Sequence, residues 1–303
     1  MANTKEIKNH IESVKETQKI TNAMYLIAST KMRRAKAELE ETRPYFDALR
    51  TEIKRIFRSA KDIENRYFYP ADGSEAPDGT YGCLVITADK GLAGAYNMNV
   101  IKETLKLLDE HSDTRLFVVG EYGRHYFKQH NIPIEQSFIY TAQNPTINRA
   151  RAISDIISDK FERGKLDKIF AVYTDMGNGM TMNATSTRLL PFHRTYFTEE
   201  KAKSEKPVTT DFEFWPSIDE LLTVVMRSYT AGYIYGALVD SFCSEQNARM
   251  MAMSAANDNA ESLLANLSDQ YNRVRQAAIT QEITEVSAGA KAQRNKKEVK
   301  ATL

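Results

Sequence analysis

Glycine and proline are almost absent from both ends of this 303-residue chain. The first of the 13 glycines is Gly73, and Pro44 is the only one of the 8 prolines that precedes Pro70. No proline follows Pro216, and the rest of the chain beyond it holds three glycines. Because both residue types interrupt helices, the two ends are predicted to form long uninterrupted helices, and the middle to hold the turns.

The chain also has few residues of the kinds that build metal or catalytic sites. Its two cysteines, Cys83 and Cys243, are too few and too far apart for a disulfide framework or a zinc cluster, so reduced thiols are expected. None of the five histidines has metal-ligand spacing, and the nucleophile-elbow and HExxH motifs are missing. We therefore expect no catalytic residue, no metal and no cofactor.

Long apolar runs and a strong net charge are missing as well. No stretch approaches the ~20 apolar residues of a membrane span, and the first residues have no apolar signal core. The net charge of +1 gives no overall attraction to nucleic acid or anionic lipid. Direct membrane insertion and nucleic-acid binding are not expected, so membrane association would come through partner proteins.

Both ends carry a heptad-like repeat of apolar residues. Steps of four and three from Ile7 to Ile56 mark fifteen positions, of which twelve are apolar. A matching series runs from Ile218 to Ala278. A repeat of 3.5 residues sustained over this length predicts a coiled coil. With a compact insert between the two seams, an antiparallel pair is favoured, although an ordinary coiled-coil spacer would show the same pattern.

The middle of the chain alternates between short apolar strands and helical stretches. Strands are expected over 81–88, 115–120, 134–140 and 168–174, with helices between them and a further hairpin strand within 181–192. Thr198–Pro207 is expected to be a loop. This alternation predicts a Rossmann-like α/β domain with a mostly parallel sheet.

One segment, DKGLAGAYN after the first strand, has the position of a phosphate-binding loop. It lacks both GxGxxG and GxxxxGK[ST] spacing, so a tight turn between strand and helix is the favoured interpretation. Residues 1–66 carry 15 basic and 10 acidic side chains, and charge alone leaves open a solvated face or a collar for an acidic partner.

Three segments resemble the signatures of one family. IKNHIESVKETQKITNAMYLIASTKMRRA near the start, TADKGLAGAYNMN in the middle and QYNRVRQAAITQEITE near the end resemble ATP synthase gamma subunits of the F type, in the same order. The resemblance implies a rotor shaft without a catalytic site of its own, which couples ion-driven rotation of a membrane ring to the catalytic beta subunits and regulates ATPase activity. It implies four partners, namely the alpha and beta subunits, the epsilon subunit and the membrane c-ring, and a peripheral position on the cytoplasmic face of a bacterial plasma membrane.

The resemblance also implies contact residues. Met24, Lys31, Arg33, Arg34 and Arg249 match a neck region that meets the acidic lever loop of beta. A second set matches an upper-shaft region that meets a catch loop: Arg275, Gln276, Thr280 and Glu285.

Three features depart from the family pattern. Trp215 precedes Pro216 in the foot region where an acid is common, which weakens the case for an ionic contact to the ring there. The residues KAQRNKKEVKATL extend past the usual end, and the paired cysteines of a plant-type redox insert are missing.

The predicted domain limits follow from these patterns. They are a coiled-coil helix over 1–66, the α/β domain over 67–213, a second coiled-coil helix over 214–290 and a mobile basic tail over 291–303. The residues alone leave two other functions open: a structural scaffold with an α/β head, and an enzyme that binds a nucleotide at the DKGLAGA turn.

Overall fold

A computed structural model describes residues 4–59, 64–70, 78–139, 142–176, 183–198, 215 and 217–301. Its described part contains two long helices, four shorter ones and five strands. The helices are α1 (Thr4–Ser59), α2 (Tyr96–Glu110), α3 (Glu121–Gln129), α4 (Ile147–Glu162), α5 (Thr195–Thr198) and α6 (Ile218–Ala301). The strands are β1 (Tyr81–Ile86), β2 (Thr114–Val119), β3 (Ile134–Phe138), β4 (Lys168–Asp175) and β5 (Asn183–Leu190).

The chain divides into two compact units. One is Ile27–Met250, and the other combines Met1–Leu26 with Met251–Leu303. Each unit holds a piece of α1 and a piece of α6, since both helices run past the division.

The strands of the larger unit form one sheet in the order β3-β2-β1-β4-β5. β1 to β4 are parallel, and β5 pairs antiparallel with β4 as the predicted hairpin strand. Helical crossovers permit the parallel pairs, whereas a short connection suffices for the antiparallel one. The predicted fold class is therefore confirmed: long terminal helices packed together, and a mixed, mostly parallel sheet with helices.

The sheet is covered on both faces. Alternate residues of β1 point in opposite directions, so Cys83 and Val85 pack with α2 and α3, whereas Leu84 and Ile86 pack with α4, α1 and α6. All six β1 residues are buried, as expected for a parallel strand between two helical layers.

In the larger unit, α1 and α6 run antiparallel. Gly232 lies against the ring of Phe46, and the Cys243 thiol contacts the carbonyl oxygen of Met32 at 3.9 Å, so rising numbers on one helix meet falling numbers on the other. Pro44 lies inside α1, which is continuous as a helix around it.

The smaller unit contains the same kind of seam. Ile7 and Val14 of α1 pack against Leu267 of α6, and the hydroxyl of Thr21 hydrogen-bonds to the side-chain oxygen of Asn257. The lower-numbered residues of α1 face the higher-numbered residues of α6, so this pair is antiparallel too. The polar seam residues Thr21 and Asn257 pair with each other, which favours one register.

The structure differs from the sequence expectation at two places, just after β5 and at the end of α6. The short helix α5 was not predicted, and Thr198, expected in a loop, is its last residue. Residues 199–207 of that expected loop lie outside the described part. Helix α6 continues past Gly289 to Ala301, so it includes most of the predicted tail, residues 291–303. Mobility of that tail stays a prediction.

A matched pair of glycine substitutions tests the packing of the larger unit, Ile27–Met250. Gly120 has φ +94°, and a Cβ there would lie 2.2 Å from the backbone oxygen of Thr87. Gly120→Ala should lower the free energy of unfolding by about 3 kcal/mol, since it combines backbone strain with a clash against immobile main chain. Thermal and urea unfolding followed by circular dichroism measures the change.

Gly236→Ala is the control. A Cβ at this helical position meets nothing within 4 Å. It should raise stability by about 0.5–1 kcal/mol through helix propensity alone. Equal effects of the two substitutions would contradict the close approach of Gly120 to Thr87.

Candidate functional site

The predicted neck residues on α1 differ in exposure. Lys31, Arg33 and Arg34 are all exposed in the larger unit, and the Arg34 Nε lies 2.8 Å from a carboxylate oxygen of Glu38 one turn later. Met24, in the smaller unit, is half-buried. An exposed ion pair of this kind contributes little to stability, so these cations are available to an acidic partner at small cost.

Arg249, predicted with that group, has a different environment. Its side chain is 12% exposed, and its Nη1 lies 2.5 Å from Oε1 of Glu245, whose side chain is 8% exposed. Its Nη2 donates a hydrogen bond of 3.1 Å to the carbonyl oxygen of Gly91. The structure therefore does not present Arg249 as an exposed cation like Lys31, Arg33 and Arg34.

Glu245 is unusual because it is a buried acid. Burial raises the pKa of its carboxyl, and the charge and hydrogen bond of Arg249 oppose that rise. Asp89 raises the same pKa further through its negative charge, and Lys31 of α1 lowers it. An ion pair with a second hydrogen bond on the arginine is the arrangement that makes such a buried charge tolerable.

The turn DKGLAGAYN connects β1 to α2 and is held by side chains. Asn97 accepts a hydrogen bond from the backbone nitrogen of Ala88 at 2.9 Å, and Asp89 accepts one from the backbone nitrogen of Glu121 at 3.0 Å. At its tip, Leu92 has φ +64° and is 66% exposed. A left-handed leucine on the surface is uncommon and needs support from its surroundings.

The crevice beside this turn is where open α/β sheets commonly bind ligands. It lies at the carboxyl ends of β1 and β4, where the strand order reverses. Here α6 packs over it: Ala248 joins a buried apolar cluster with Ala88, Ala93 and Tyr96, and Ser244 donates a hydrogen bond of 3.3 Å to the carbonyl oxygen of Thr174. The interpretation of the turn as a tight connection, rather than a phosphate loop, agrees with this packing.

The predicted upper-shaft residues lie on an exposed part of α6. Every residue from Arg275 to Lys291 is exposed. Within it, the Thr280 hydroxyl donates to the carbonyl oxygen of Gln276 at 2.9 Å, and Gln281 donates to Glu285 at 2.9 Å. These contacts are local to the helix, which leaves the outward polar groups for other molecules.

The sequence analysis missed an apolar stripe on the same stretch. Ile279, Ile283 and Val286 are 46%, 64% and 73% exposed. Their spacing of four and three residues places them along one helix face. That spacing was readable from the sequence, but only the structure shows that the face lacks a covering helix within the described residues.

The remaining predicted residue, Trp215, is 89% exposed. Residues 199–214 and 216 around it lie outside the described part of the chain. Elsewhere among the described residues, no group of three or more potential ligands could hold a metal ion, and no helix is long and apolar enough to cross a membrane. Cys83 and Cys243 are buried free thiols.

Comparison with known proteins identifies the family. A profile of the family described as ATP synthase matches residues 3–293. The ATP synthase gamma chain of Acetivibrio thermocellus is 40% identical over 295 residues, covering 96% of this chain and 99% of that protein. The chain belongs to the ATP synthase gamma-chain family. The gamma chain of Ruminiclostridium cellulolyticum is 38% identical, with 96% and 98% of the two chains covered.

A solved structure supports the fold of this gamma chain. In the Tetrahymena thermophila mitochondrial ATP synthase, the matching chain of the central stalk and c-ring has a TM-score of 0.58 and 24% identity, and the match covers 78% of this chain and 99% of that one. The predicted family, the gamma chain of an ATP synthase, is confirmed by the family profile and these relatives.

A second acid of the gamma chain, the half-buried Asp240, leads to a pH prediction. Burial, followed by the negative charge of Asp175, raises the pKa of Asp240 from 3.8 to about 6, and Lys36 opposes the rise. The folded state binds the proton of Asp240 more tightly than the unfolded state does, so protonation of Asp240 favours folding at low pH. The free energy of unfolding therefore falls as the pH rises from about 4 to 6.

Asp240→Asn should therefore stabilise the chain above pH 6, and the gain should disappear towards pH 4. The shift from 3.8 to about 6 corresponds to at most about 3 kcal/mol, and partial exposure reduces the expected gain to about 1–2 kcal/mol. Melting temperatures between pH 4 and 8 measure it, with the exposed Asp258→Asn as a control on the same helix. A gain that is constant across pH would contradict the proposed burial of charge.

Proposed function

We propose that this gamma chain couples rotation of a membrane ring to conformational change at the catalytic beta subunits of its ATP synthase, and that it also regulates ATPase activity. The observation that carries the proposal is one helix, α6, in two environments. From Thr230 to Ala248 no residue is exposed, whereas from Arg275 to Lys291 every residue is exposed. The first stretch is built into the fold, and the second offers its surface to partners.

Rotation can act on the catalytic sites only through differences in contact. Three chemically identical beta sites adopt different states if the gamma chain contacts each one differently, because a ligand shifts an equilibrium only by its differential affinity. A single chain without threefold symmetry meets this condition at every angle.

We assign the upper contact to the exposed end of α6. The polar groups of Arg275, Gln276, Thr280 and Glu285 suit contacts that form and break at each step, because exposed polar pairs are individually weak. The apolar stripe beside them suits a covering protein surface, since adjacent exposed apolar side chains usually mark an interaction site. The proposed partners here are the alpha and beta subunits.

The neck contact is assigned to α1. Lys31, Arg33 and Arg34 offer exposed positive charge to an acidic loop of beta, and Met24 adds a half-buried apolar surface. A beta contact for Arg249 stays a prediction, and its bonds to Glu245 and Gly91 indicate a different role.

The foot is assigned to the α/β domain. Exposed Trp215 precedes the first residue of α6, Ile218, by three residues, and a large exposed apolar side chain suits a protein contact. The Tetrahymena structure contains a central stalk and a c-ring. By analogy, we propose that the epsilon subunit and a c-ring bind this region, and that the complex is a peripheral assembly on the cytoplasmic face of the bacterial plasma membrane.

A double substitution tests the upper contact. Arg275→Ala with Gln276→Ala removes two exposed side chains, so helix α6 should still fold, while ATP-driven ion pumping and ATP synthesis in vesicles should fall by about two- to tenfold. Arg151→Ala, exposed on α4, serves as the control. Wild-type pumping in the double variant would remove these residues from the coupling surface.

The apolar stripe is tested by a charge. Ile283→Asp should leave the circular dichroism of the isolated chain unchanged, since the side chain is 64% exposed. It should lower the yield of complex assembled with alpha and beta, because burying an unpaired carboxylate against a partner is costly. Ile283→Leu should assemble normally, and normal assembly of the Asp variant would show that no partner covers this face.

A further inference from the structure

We propose that Arg249 is a positioning residue: together with Glu245 it clamps the β1–α2 turn (residues 89–94, called the turn below) to α6 and holds Leu92 in its exposed, left-handed position. The inference concerns the internal mechanics of the chain. Its consequence for coupling rests on the proposed function.

The first support is the geometry of the guanidinium. It bridges two elements that are far apart in sequence, with Nη1 2.5 Å from Glu245 on its own helix and Nη2 3.1 Å from the carbonyl oxygen of Gly91 in the turn. Arginine has rigid donors in a planar fork, so a guanidinium oriented by Glu245 has its other donors fixed in direction. One of them reaches Gly91.

The second support is burial. The two side chains are 12% and 8% exposed, so the ion pair between them is largely shielded from water and is stronger than a surface pair. By comparison, Arg43 and Glu40 on α1 form an Arg–Glu pair at 3.1 Å whose side chains are 66% and 65% exposed. An exposed pair of that kind typically contributes less than about 1 kcal/mol.

The third support is the turn itself. Leu92 has φ +64°, which costs a leucine free energy, and it directly follows the clamped Gly91. On the other side of Leu92, Ala93 is buried in the cluster with Ala88, Tyr96 and Ala248. The strained residue is thus fixed on both sides by contacts to α6, one polar and one apolar, which is how a local structure maintains an unfavourable backbone conformation.

The clamp gives the turn a mechanical role. Force applied to the α/β domain reaches α6 through this link as well as through the apolar core, and the turn keeps one shape while it is loaded. Loosening the clamp should therefore let the turn move relative to α6 and lower the work transmitted per ATP.

The test uses the assembled complex with four variants of the gamma chain: Arg249→Gln, Arg249→Lys, Glu245→Gln, and Arg249→Gln combined with Glu245→Gln, called the double variant. Hydrogen–deuterium exchange of the peptide spanning residues 86–97 measures the turn, and ions pumped per ATP hydrolysed in vesicles measure coupling. Arg43→Gln is the matched control, an exposed Arg–Glu pair within one helix.

We expect Arg249→Gln to raise exchange in the turn about tenfold, because it removes a charge-assisted hydrogen bond and a buried ion pair. Pumping per ATP should fall by about twofold or more. Arg249→Lys should lie in between, because one ammonium cannot hold both partners in the same geometry. The double variant should exchange no faster than Arg249→Gln, since both substitutions break the same link.

Unchanged exchange in Arg249→Gln would overturn the clamp, and lost pumping in the same variant would then make Arg249 a direct partner contact. Raised exchange with wild-type pumping would support the clamp but overturn its role in coupling. Failure of the proposed function is distinguishable, because it would appear as absent ATP-driven pumping in the complex with the unaltered gamma chain.

Discussion

The structure depends on one stretch of one helix, Thr230–Ala248 of α6, which has no exposed residue. A helix buried all round needs partners on every side. In the larger unit it has α1 on one side and the sheet with α4 on another, so a single element joins the helical pair to the α/β domain. Small residues permit this arrangement: Gly232 lies directly under the ring of Phe46, where a side chain would collide.

The same stretch of α6 occupies the crevice in which α/β domains of this topology commonly bind a ligand. Its strand order creates the usual crevice at the ends of β1 and β4. The packing of Ala248 and the hydrogen bond from Ser244 to Thr174 use that crevice for attachment of α6. In many proteins of this topology the crevice binds a ligand, whereas here it holds a helix of the same chain. Function is therefore set by the site rather than by the fold.

Polar groups along α6 fix its orientation on the α/β domain more strictly than apolar packing alone would. Arg227 donates to both Glu162 and Asp159 of α4 at 2.7 Å, and Arg249 bridges Glu245 and Gly91. Apolar contacts tolerate small sliding movements, whereas a hydrogen bond to a charged group fixes angle and distance. Two such links along one helix restrict its rotation on the α/β domain, a useful property in a chain that is proposed to transmit torque.

Much of this was determined by the sequence itself. The placement of glycine and proline and the 3.5-residue repeat predicted α1, α6 and their pairing, because helix formation and seam burial are local or nearly local effects. The antiparallel direction was favoured by the compact insert between the two seams and not by the repeat. The alternation of short apolar strands with helical stretches predicted β1 to β4, and β5 was expected as a hairpin strand within 181–192. The tertiary structure alone decided the burial of Arg249 and Glu245 and the exposure of Ile279, Ile283 and Val286. In sequence, a charge on a helix looks the same whether water or a distant carbonyl group meets it, and only packing determines which of them does.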